Sequence, residues 1–161
     1  MDSVRVGQRP TYSVLRVWYA TNARIQNCHF VVDDAGTEGH GIEENSHEAG
    51  TVIRGCTISG FWSGVALNNT ANTLLQGCII EGNAYGVNLC CAGDPDHHPN
   101  PDLGGGARWS AGGNTIRDNS ECGLANGTPN AVYAKFNTWG GTPPVDGEDF
   151  CNTGGGSVIW H

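Results

Sequence analysis

The sequence contains few of the residues that favour long helices. Among its 161 residues there is one methionine and one lysine, Lys135, whereas 25 residues are glycine. Glycine destabilises helix interiors and supplies the backbone conformations that turns require. The composition therefore predicts β structure, in a single domain over residues 1–161 that is long enough to bury a core.

Positive charge and long apolar runs are also scarce. The formal net charge is −8 at pH 7, and a negative field repels phosphate backbones and anionic lipids. We therefore expect no nucleic-acid partner, and an uncharged sugar or a cation suits the charge better. No apolar run is long enough to cross a bilayer, so no membrane span is predicted, and residues 1–10 lack the apolar stretch of a secretory signal.

A short template recurs along the chain. Each copy contains an aliphatic residue, a long polar residue, a turn former, and then Cys or Asn. The copies are ARIQNC at 23–28, TVIRGC at 51–56, TLLQGC at 73–78 and NTIRDN at 114–119. An apolar residue follows two positions later in the first three copies, but Glu121 interrupts that column in the fourth. Repeats of 22 to 28 residues indicate a solenoid in which each coil buries the apolar face of its neighbour.

The template and two further stretches resemble one fold family. PDLGGGARWSAGGNTIRDN at 101–119 and AVYAKFNTWGG at 131–141 are similar to uncharacterised surface-associated members of the pectin-lyase-like superfamily. The resemblance implies an all-β, right-handed parallel β-helix, here of about five coils with one long loop insertion. It also implies stacked Asn side chains inside a turn, a position that Asn119 and Asn137 match.

The seven cysteines divide into two groups. Cys28, Cys56 and Cys78 take the position of the stacked Asn in the earlier coils, where a small thiol fills the space, and we expect them to be reduced. The others lie outside that column: Cys90, Cys91, Cys122 and Cys151. A bridge such as Cys122 to Cys151 is one option, but the spacing does not determine the connectivity.

An insertion is predicted between the third and fourth copies. Gly86 and Gly123 are 37 residues apart, against 22 or 23 for earlier equivalent glycines, which places the insertion at about 90–108. Its candidate metal ligands are Asp94, Asp96, His97, His98 and Asp102. Carboxylates suit calcium and imidazoles suit transition metals, so a calcium site is one hypothesis. A solvated loop without metal is the alternative.

The polar position of the template predicts a stripe along the outside of the solenoid. It consists of Gln26, Arg54, Gln76 and Arg117, which we consider candidate substrate-binding residues for a polysaccharide. Solvent-facing polar side chains without a ligand are the alternative. Trp62, Tyr85 and Trp109 occur near turns, where they either stack on sugars or cover the edge of the core.

No catalytic residues are identified. Glu43 and Glu44 are adjacent, and neighbouring side chains of a strand point to opposite faces, so they are a poor acid and nucleophile pair for glycoside hydrolysis. No phosphate-binding loop, dinucleotide fingerprint or serine-nucleophile motif is present. Cofactor chemistry of those classes therefore has no support.

Two functional interpretations remain. The first is a noncatalytic β-helical module, extracellular or on the cell surface, that presents a face to carbohydrate or another partner. The alternative is a polysaccharide lyase, epimerase or glycoside hydrolase that acts on an extracellular glycan. Because an open β-helix end exposes unpaired backbone groups, we also expect either a fragment of a longer β-helix or self-association, end to end or side by side.

Overall fold

The computed structural model describes residues 3–5, 13–32, 39–45, 50–69, 71–90 and 98–161. These residues form eighteen short strands, and they include no helix long and apolar enough to cross a membrane. The strands are β1 (Ser3–Arg5), β2 (Leu15–Trp18), β3 (Arg24–Gln26), β4 (His29–Val31), β5 (His40–Asn45), β6 (Val52–Arg54), β7 (Thr57–Ser59), β8 (Ser63–Leu67), β9 (Ala71–Gln76), β10 (Ile79–Glu81), β11 (Tyr85–Leu89), β12 (Asn100–Gly104), β13 (Thr115–Arg117), β14 (Cys122–Asn126), β15 (Val132–Ala134), β16 (Thr138–Trp139), β17 (Phe150–Asn152) and β18 (Val158–Ile159).

Every third strand belongs to the same sheet. Sheet 1 contains β1, β4, β7, β10, β13 and β16; sheet 2 contains β2, β5, β8, β11, β14 and β17; and sheet 3 contains β3, β6, β9, β12, β15 and β18. The pairings are parallel throughout. The predicted right-handed parallel β-helix is confirmed. The described strands make six coils, one more than the repeat indicated, because the first and last coils lack the template.

The core consists of aliphatic columns that run along the solenoid axis. In sheet 2, Ile42, Val65, Val87 and Leu124 are in register and fully buried. Alternate residues of each short strand point inward, which explains why a single aliphatic residue per template copy is sufficient. Each such side chain contributes about 1.5–3 kcal/mol when it is removed from water, so the stacked columns stabilise the solenoid.

The turn from sheet 3 to sheet 1, which we call the 3–1 corner, carries an internal ladder. Its inward residues are Cys28, Cys56, Cys78, Asn114 and Asn137. The residue before each one has a positive φ, and these residues are Asn27, Gly55, Gly77, Gly113 and Phe136. The Asn114 amide donates to the carbonyls of Leu75 and Leu103 at 3.3 and 3.0 Å. Its oxygen accepts the backbone N–H of Cys78 at 3.0 Å.

The first three residues of this ladder in chain order are cysteines, Cys28, Cys56 and Cys78. Cys56 and Cys78 are buried thiols, as the sequence predicted for this column, and their Sγ atoms lie 3.6 and 3.7 Å from the carbonyl oxygens of Ile25 and Ile53. The hydrogen bond with Cys78, together with burial, raises the pKa of the Cys56 thiol. The column is therefore a packing element that needs fewer hydrogen-bond partners than stacked amides.

A second ladder occupies the turn from sheet 1 to sheet 2, the 1–2 corner. Here Asn83 and Asn119 stack, with Asn83 Nδ2 donating to Asn119 Oδ1 at 3.1 Å. Asp118 holds the positive φ before Asn119, as Gly82 does before Asn83. The fourth template copy, 114–119, thus ends at a different corner from the first three. The expectation that Asn119 continues the cysteine column is wrong, and Asn114 takes that place.

The segment predicted as an insertion is divided by a strand. β12 (Asn100–Gly104) lies inside the range 90–108 and pairs with β9 and β15. Leu103 fills the core and is fully buried. This Leu is the inward residue that the coil needs at this level, so the chain returns to sheet 3 earlier than the glycine spacing suggested. Residues 91–97 lie outside the described residues.

Candidate functional site

An open groove of about 510 Å³ lies on the outer face of sheet 2, in coils three to six. It begins at the 1–2 corner and runs across β11, β14 and β17. Its lining residues are Trp62, Tyr85, Asn88, Leu89, Cys90, Glu121, Ala125, Gly127, Cys151 and Thr153. Aromatic and polar side chains together line this surface, which is the combination that ligand sites commonly use.

Two aromatic rings form one end of the groove. Trp62 lies just before β8 and Tyr85 is the first residue of β11, and the backbone N–H of Tyr85 donates to the Trp62 carbonyl at 2.7 Å. The ring centroids are 5.4 Å apart with an interplanar angle of 70°, an edge-to-face pair. Trp62 remains 45% exposed. The pair therefore has stacking area available to a ligand.

Glu121 follows one coil further along the same corner. Its backbone N–H donates to the Ala84 carbonyl at 2.8 Å, and the next residue, Cys122, pairs with Tyr85. Its side chain is exposed. This residue was the one that interrupted the repeat in the sequence, because the 1–2 corner has a longer turn before β14 than the template allows. Glu121 is the only Asp, Glu, Lys or Arg among the groove-lining residues that the structure describes.

The floor of the groove follows an outward column of sheet 2. Asn88, Ala125 and Cys151 are in register across β11, β14 and β17. The Asn88 amide donates to the Ser63 hydroxyl at 3.3 Å, which orients the amide beside the aromatic pair. A disulfide joins Cys151 to Cys122, which confirms one of the pairings that the sequence left open. The disulfide links two neighbouring coils at the groove wall.

The family model described as "Protein of unknown function (DUF1565)" matches residues 8–146, which is most of the chain. The chain belongs to the DUF1565 family. No curated protein and no solved structure matches it. The function of this DUF1565 protein must therefore be inferred from its own residues.

The stripe predicted from the repeats is only partly a stripe in this DUF1565 chain. Gln26, Arg54 and Gln76 are in register on sheet 3, and Arg54 Nη2 donates to Gln76 Oε1 at 2.9 Å. Arg117 is not in this column. It lies on sheet 1 opposite Glu81, with Nε 3.0 Å from Glu81 Oε2. The alignment was wrong for this residue because the same template serves two corners.

The three aromatic candidates are also separated. Trp62 and Tyr85 share the groove, whereas Trp109 lies in the turn after β12, near sheet 3, with a φ of 63°. Trp109 is 89% exposed and, among the described residues, has no aromatic partner. The sequence named all three, but only the strand register could show which two are neighbours.

The predicted metal ligands are described in part. Asp94, Asp96 and His97 lie outside the described residues. Asp102 is buried. Its carboxylate accepts the backbone N–H of Gly104, the last residue of β12, and those of three residues of the following turn, Gly106, Arg108 and Ser110, at 3.0 to 3.3 Å. It therefore organises that turn. His98 is half-buried, and no group of three or more potential metal ligands occurs within the described ranges. The calcium hypothesis stays a prediction.

Glu43 and Glu44 point to opposite faces, as predicted. Glu43 accepts hydrogen bonds from the Ser13 hydroxyl and from Arg16 Nε. Arg16 also forms an ion pair with Glu43, with 2.8 Å between Arg16 Nη2 and Glu43 Oε2. Burial opposes its ionisation, but these bonds hold the pKa of Glu43 below its ordinary value. His40, next to Glu43, has a pKa that burial lowers. These groups stabilise coils one and two and do not reach the groove lining.

Glu44 lies inside the solenoid. It is fully buried and accepts a hydrogen bond from the Thr73 hydroxyl. Burial raises the pKa of the carboxyl group, although the neighbouring Thr51 and Thr73 hydroxyls and the charge of Arg108 oppose the shift. A buried acid with a raised pKa can indicate a functional site. Here it is closed to solvent, so it has no access to a substrate.

Proposed function

We propose that this DUF1565 protein is a noncatalytic β-helical module that binds a glycan in the sheet 2 groove. The observation that carries the proposal is the Trp62–Tyr85 pair at the head of an open groove that apolar and polar groups line together. Sugar rings present apolar C–H faces and polar rims, so a site that stacks aromatics beside amide and hydroxyl groups suits them. Asn88 and Thr153 are the polar side chains available for hydrogen bonding.

The proposal of a noncatalytic role rests on the acid and base groups present. Most glycoside hydrolases need a pair of carboxylates that flank the bond to be cleaved. The described lining of the groove contains a single carboxylate, Glu121. Glu43 and Glu44 belong to coil two and face away from each other, so they do not supply the second one.

An extracellular or cell-surface location is part of this proposal. It is supported by the Cys122–Cys151 disulfide, since structural disulfides persist in oxidising compartments and are rare in reducing ones. The net charge of −8 supports a partner that is not polyanionic.

The test is glycan binding by the Trp62→Ala and Tyr85→Ala variants, with Trp109→Ala as the matched control. We expect isothermal titration to show an affinity loss of about tenfold or more for each groove variant, as for an aromatic hot spot. Trp109→Ala should bind like the wild type, since that indole lies near sheet 3. Equal losses of affinity for Trp62→Ala and Trp109→Ala would show that the glycan does not bind in the groove.

The same samples test the noncatalytic role. Each glycan that binds is incubated with the protein, and the products are examined by chromatography and mass spectrometry. We expect the glycan to be recovered unchanged. Shortened, unsaturated or epimerised products would establish an enzyme instead, and would favour the lyase, epimerase or hydrolase alternative.

A further inference from the structure

Three groups of the groove lie on successive coils. Trp62, Tyr85 and Glu121 follow each other at the 1–2 corner, because the Tyr85 N–H donates to the Trp62 carbonyl and the Glu121 N–H donates to the Ala84 carbonyl. Successive coils of a parallel β-helix are about 4.8 Å apart. A carboxylate therefore lies one coil beyond an aromatic pair, on the same wall of the groove.

This carboxylate differs from two other carboxylates of the outer faces, Glu43 and Glu81, in having no cationic partner among the described residues. Glu43 is paired with Arg16, and Glu81 is paired with Arg117. Glu121 is exposed, and no ion pair to it occurs among the described residues. The described groove lining contains no Lys or Arg. The described part of the groove lining thus presents one uncompensated negative charge to a ligand.

A protonated amine is the ligand group that fits this arrangement. An ammonium group is attracted to a carboxylate and to aromatic faces, where the cation–π interaction contributes when the cation lies within about 6 Å of the ring centroid. A carboxylated sugar would instead meet Glu121 as a like charge, in a chain whose net charge is already −8.

We propose that the groove selects glycans with free amino groups, of the deacetylated hexosamine type, through the juxtaposition of Glu121 with Trp62 and Tyr85. This inference rests on the proposed glycan-binding function and names its substrate class. The aromatic pair stacks on one sugar ring, and Glu121 receives the amine of the adjoining ring. Neutral glycans use only the aromatic and amide contacts and therefore bind more weakly.

The test compares a β-1,4-linked glucosamine hexamer with its fully N-acetylated counterpart by isothermal titration. The variants are Glu121→Gln and, as an exposed carboxylate outside the groove lining, Glu148→Gln. The wild type should bind the glucosamine hexamer about five- to tenfold more tightly, since exposed ion pairs and cation–π contacts are individually modest. Glu121→Gln should abolish this preference by weakening the binding of the glucosamine hexamer. Glu148→Gln should retain the preference.

The outcomes separate the two proposals. Equal binding of both hexamers, with Glu121→Gln unchanged and Trp62→Ala impaired, would overturn the amine inference and leave glycan binding in place. Binding of the glucosamine hexamer that is insensitive to Trp62→Ala, and that spermine reproduces, would overturn both, since it would reduce the interaction to charge attraction. Preference for an oligogalacturonate hexamer would overturn the inference directly.

Discussion

The 3–1 and 1–2 corners have similar inward-facing residues, but they differ in the length of the turn and in its exposed side chains. Both place a residue with positive φ before an inward Cys or Asn of a ladder. At the 3–1 corner of the early coils, two residues separate the strands, as in Gly55–Cys56. The outward neighbours there are Gln26 and Arg54, which are exposed, and Gln76, which is half-buried. At the 1–2 corner the turns are longer, with three residues before β8 and four before β14. The longer turns place Trp62 and Glu121 at the groove.

The comparison of the two corners indicates where function can reside in a solenoid. Stacking fixes the inward residue and the backbone conformation of every corner, so the repeats report packing. Additional turn residues are free of that constraint and supply the side chains that a ligand would meet.

The largest effect is expected from the disulfide beside the 1–2 corner. Cys122 and Cys151 close a loop with a sequence separation of 29 residues, and a crosslink of that size stabilises by about 3–4 kcal/mol through the unfolded state. The Cys122→Ser/Cys151→Ser double variant should lose about this amount in urea unfolding. Reductant should lower the wild-type midpoint and leave that of the double variant unchanged. Equal midpoints for the two proteins without reductant would contradict the prediction.

The two ladders should differ in their contribution to stability. Asn114 at the 3–1 corner is fully buried, and Asn114→Ala leaves the Cys78 N–H without its acceptor. It also removes one of the two donors to the Leu75 and Leu103 carbonyls, which still accept from Ser110 and Asn137. We expect a loss of about 2 kcal/mol in the free energy of unfolding. Asn119 at the 1–2 corner is only half-buried, so Asn119→Ala should cost about half as much. Equal losses would mean that the corners are energetically alike.

Glu44 gives the interior a pH dependence of known sign. Burial raises the pKa of Glu44 in the folded state above the pKa near 4.5 of the unfolded chain. The stability that Glu44 contributes is therefore complete when the pH is below the unfolded-state pKa, and it is lost as the pH rises through the folded-state pKa. The thermal midpoint of Glu44→Gln, relative to wild type, should therefore increase as the pH is raised from 4 towards neutrality. Glu43 and His40 have lowered pKa values and act in the opposite direction, but they are common to both proteins. A pH-independent difference would argue against a buried, titrating Glu44.

The smallest effect is expected outside the 3–1 corner. Arg54 is exposed and hydrogen-bonded to Gln76, and exposed polar pairs contribute about 0–1 kcal/mol. Arg54→Ala should change the free energy of unfolding by about 0.5 kcal/mol or less and glycan affinity by less than about twofold. A larger loss of affinity, measured by the same titration as for Trp62→Ala, would move the binding site from the groove to the sheet 3 column.

The sequence predicted the scaffold well because stacking repeats itself. Ile53, Leu75 and the cysteine column follow from periodicity alone, and the fold needs little else. The sequence did not show to which corner a template copy belongs. Arg54 and Arg117 occupy the same position of the template, but they lie on different sheets. β12 was hidden within an apparent insertion, because one buried leucine, Leu103, leaves no periodic signal.

The candidate site was less accessible to sequence reasoning. Trp62 and Tyr85 were visible as aromatics, but their pairing depends on the register of β8 and β11. The one signal for Glu121 was its failure to fit the repeat, and a misfit alone does not show which surface a side chain joins. Exceptions to a packing repeat therefore identify candidate residues, and topology shows which of them are neighbours.

The most direct test of the account is an NMR titration of the isotope-labelled protein with the glucosamine hexamer, followed through backbone amide and indole N–H shifts. If the glycan binds in the groove, the largest changes should occur at the Trp62 indole and at the amides of Tyr85, Asn88 and Glu121, with saturation at the affinity found by calorimetry. Changes concentrated at Gln26, Arg54 and Gln76, or no saturable change at the groove, would contradict binding in the groove.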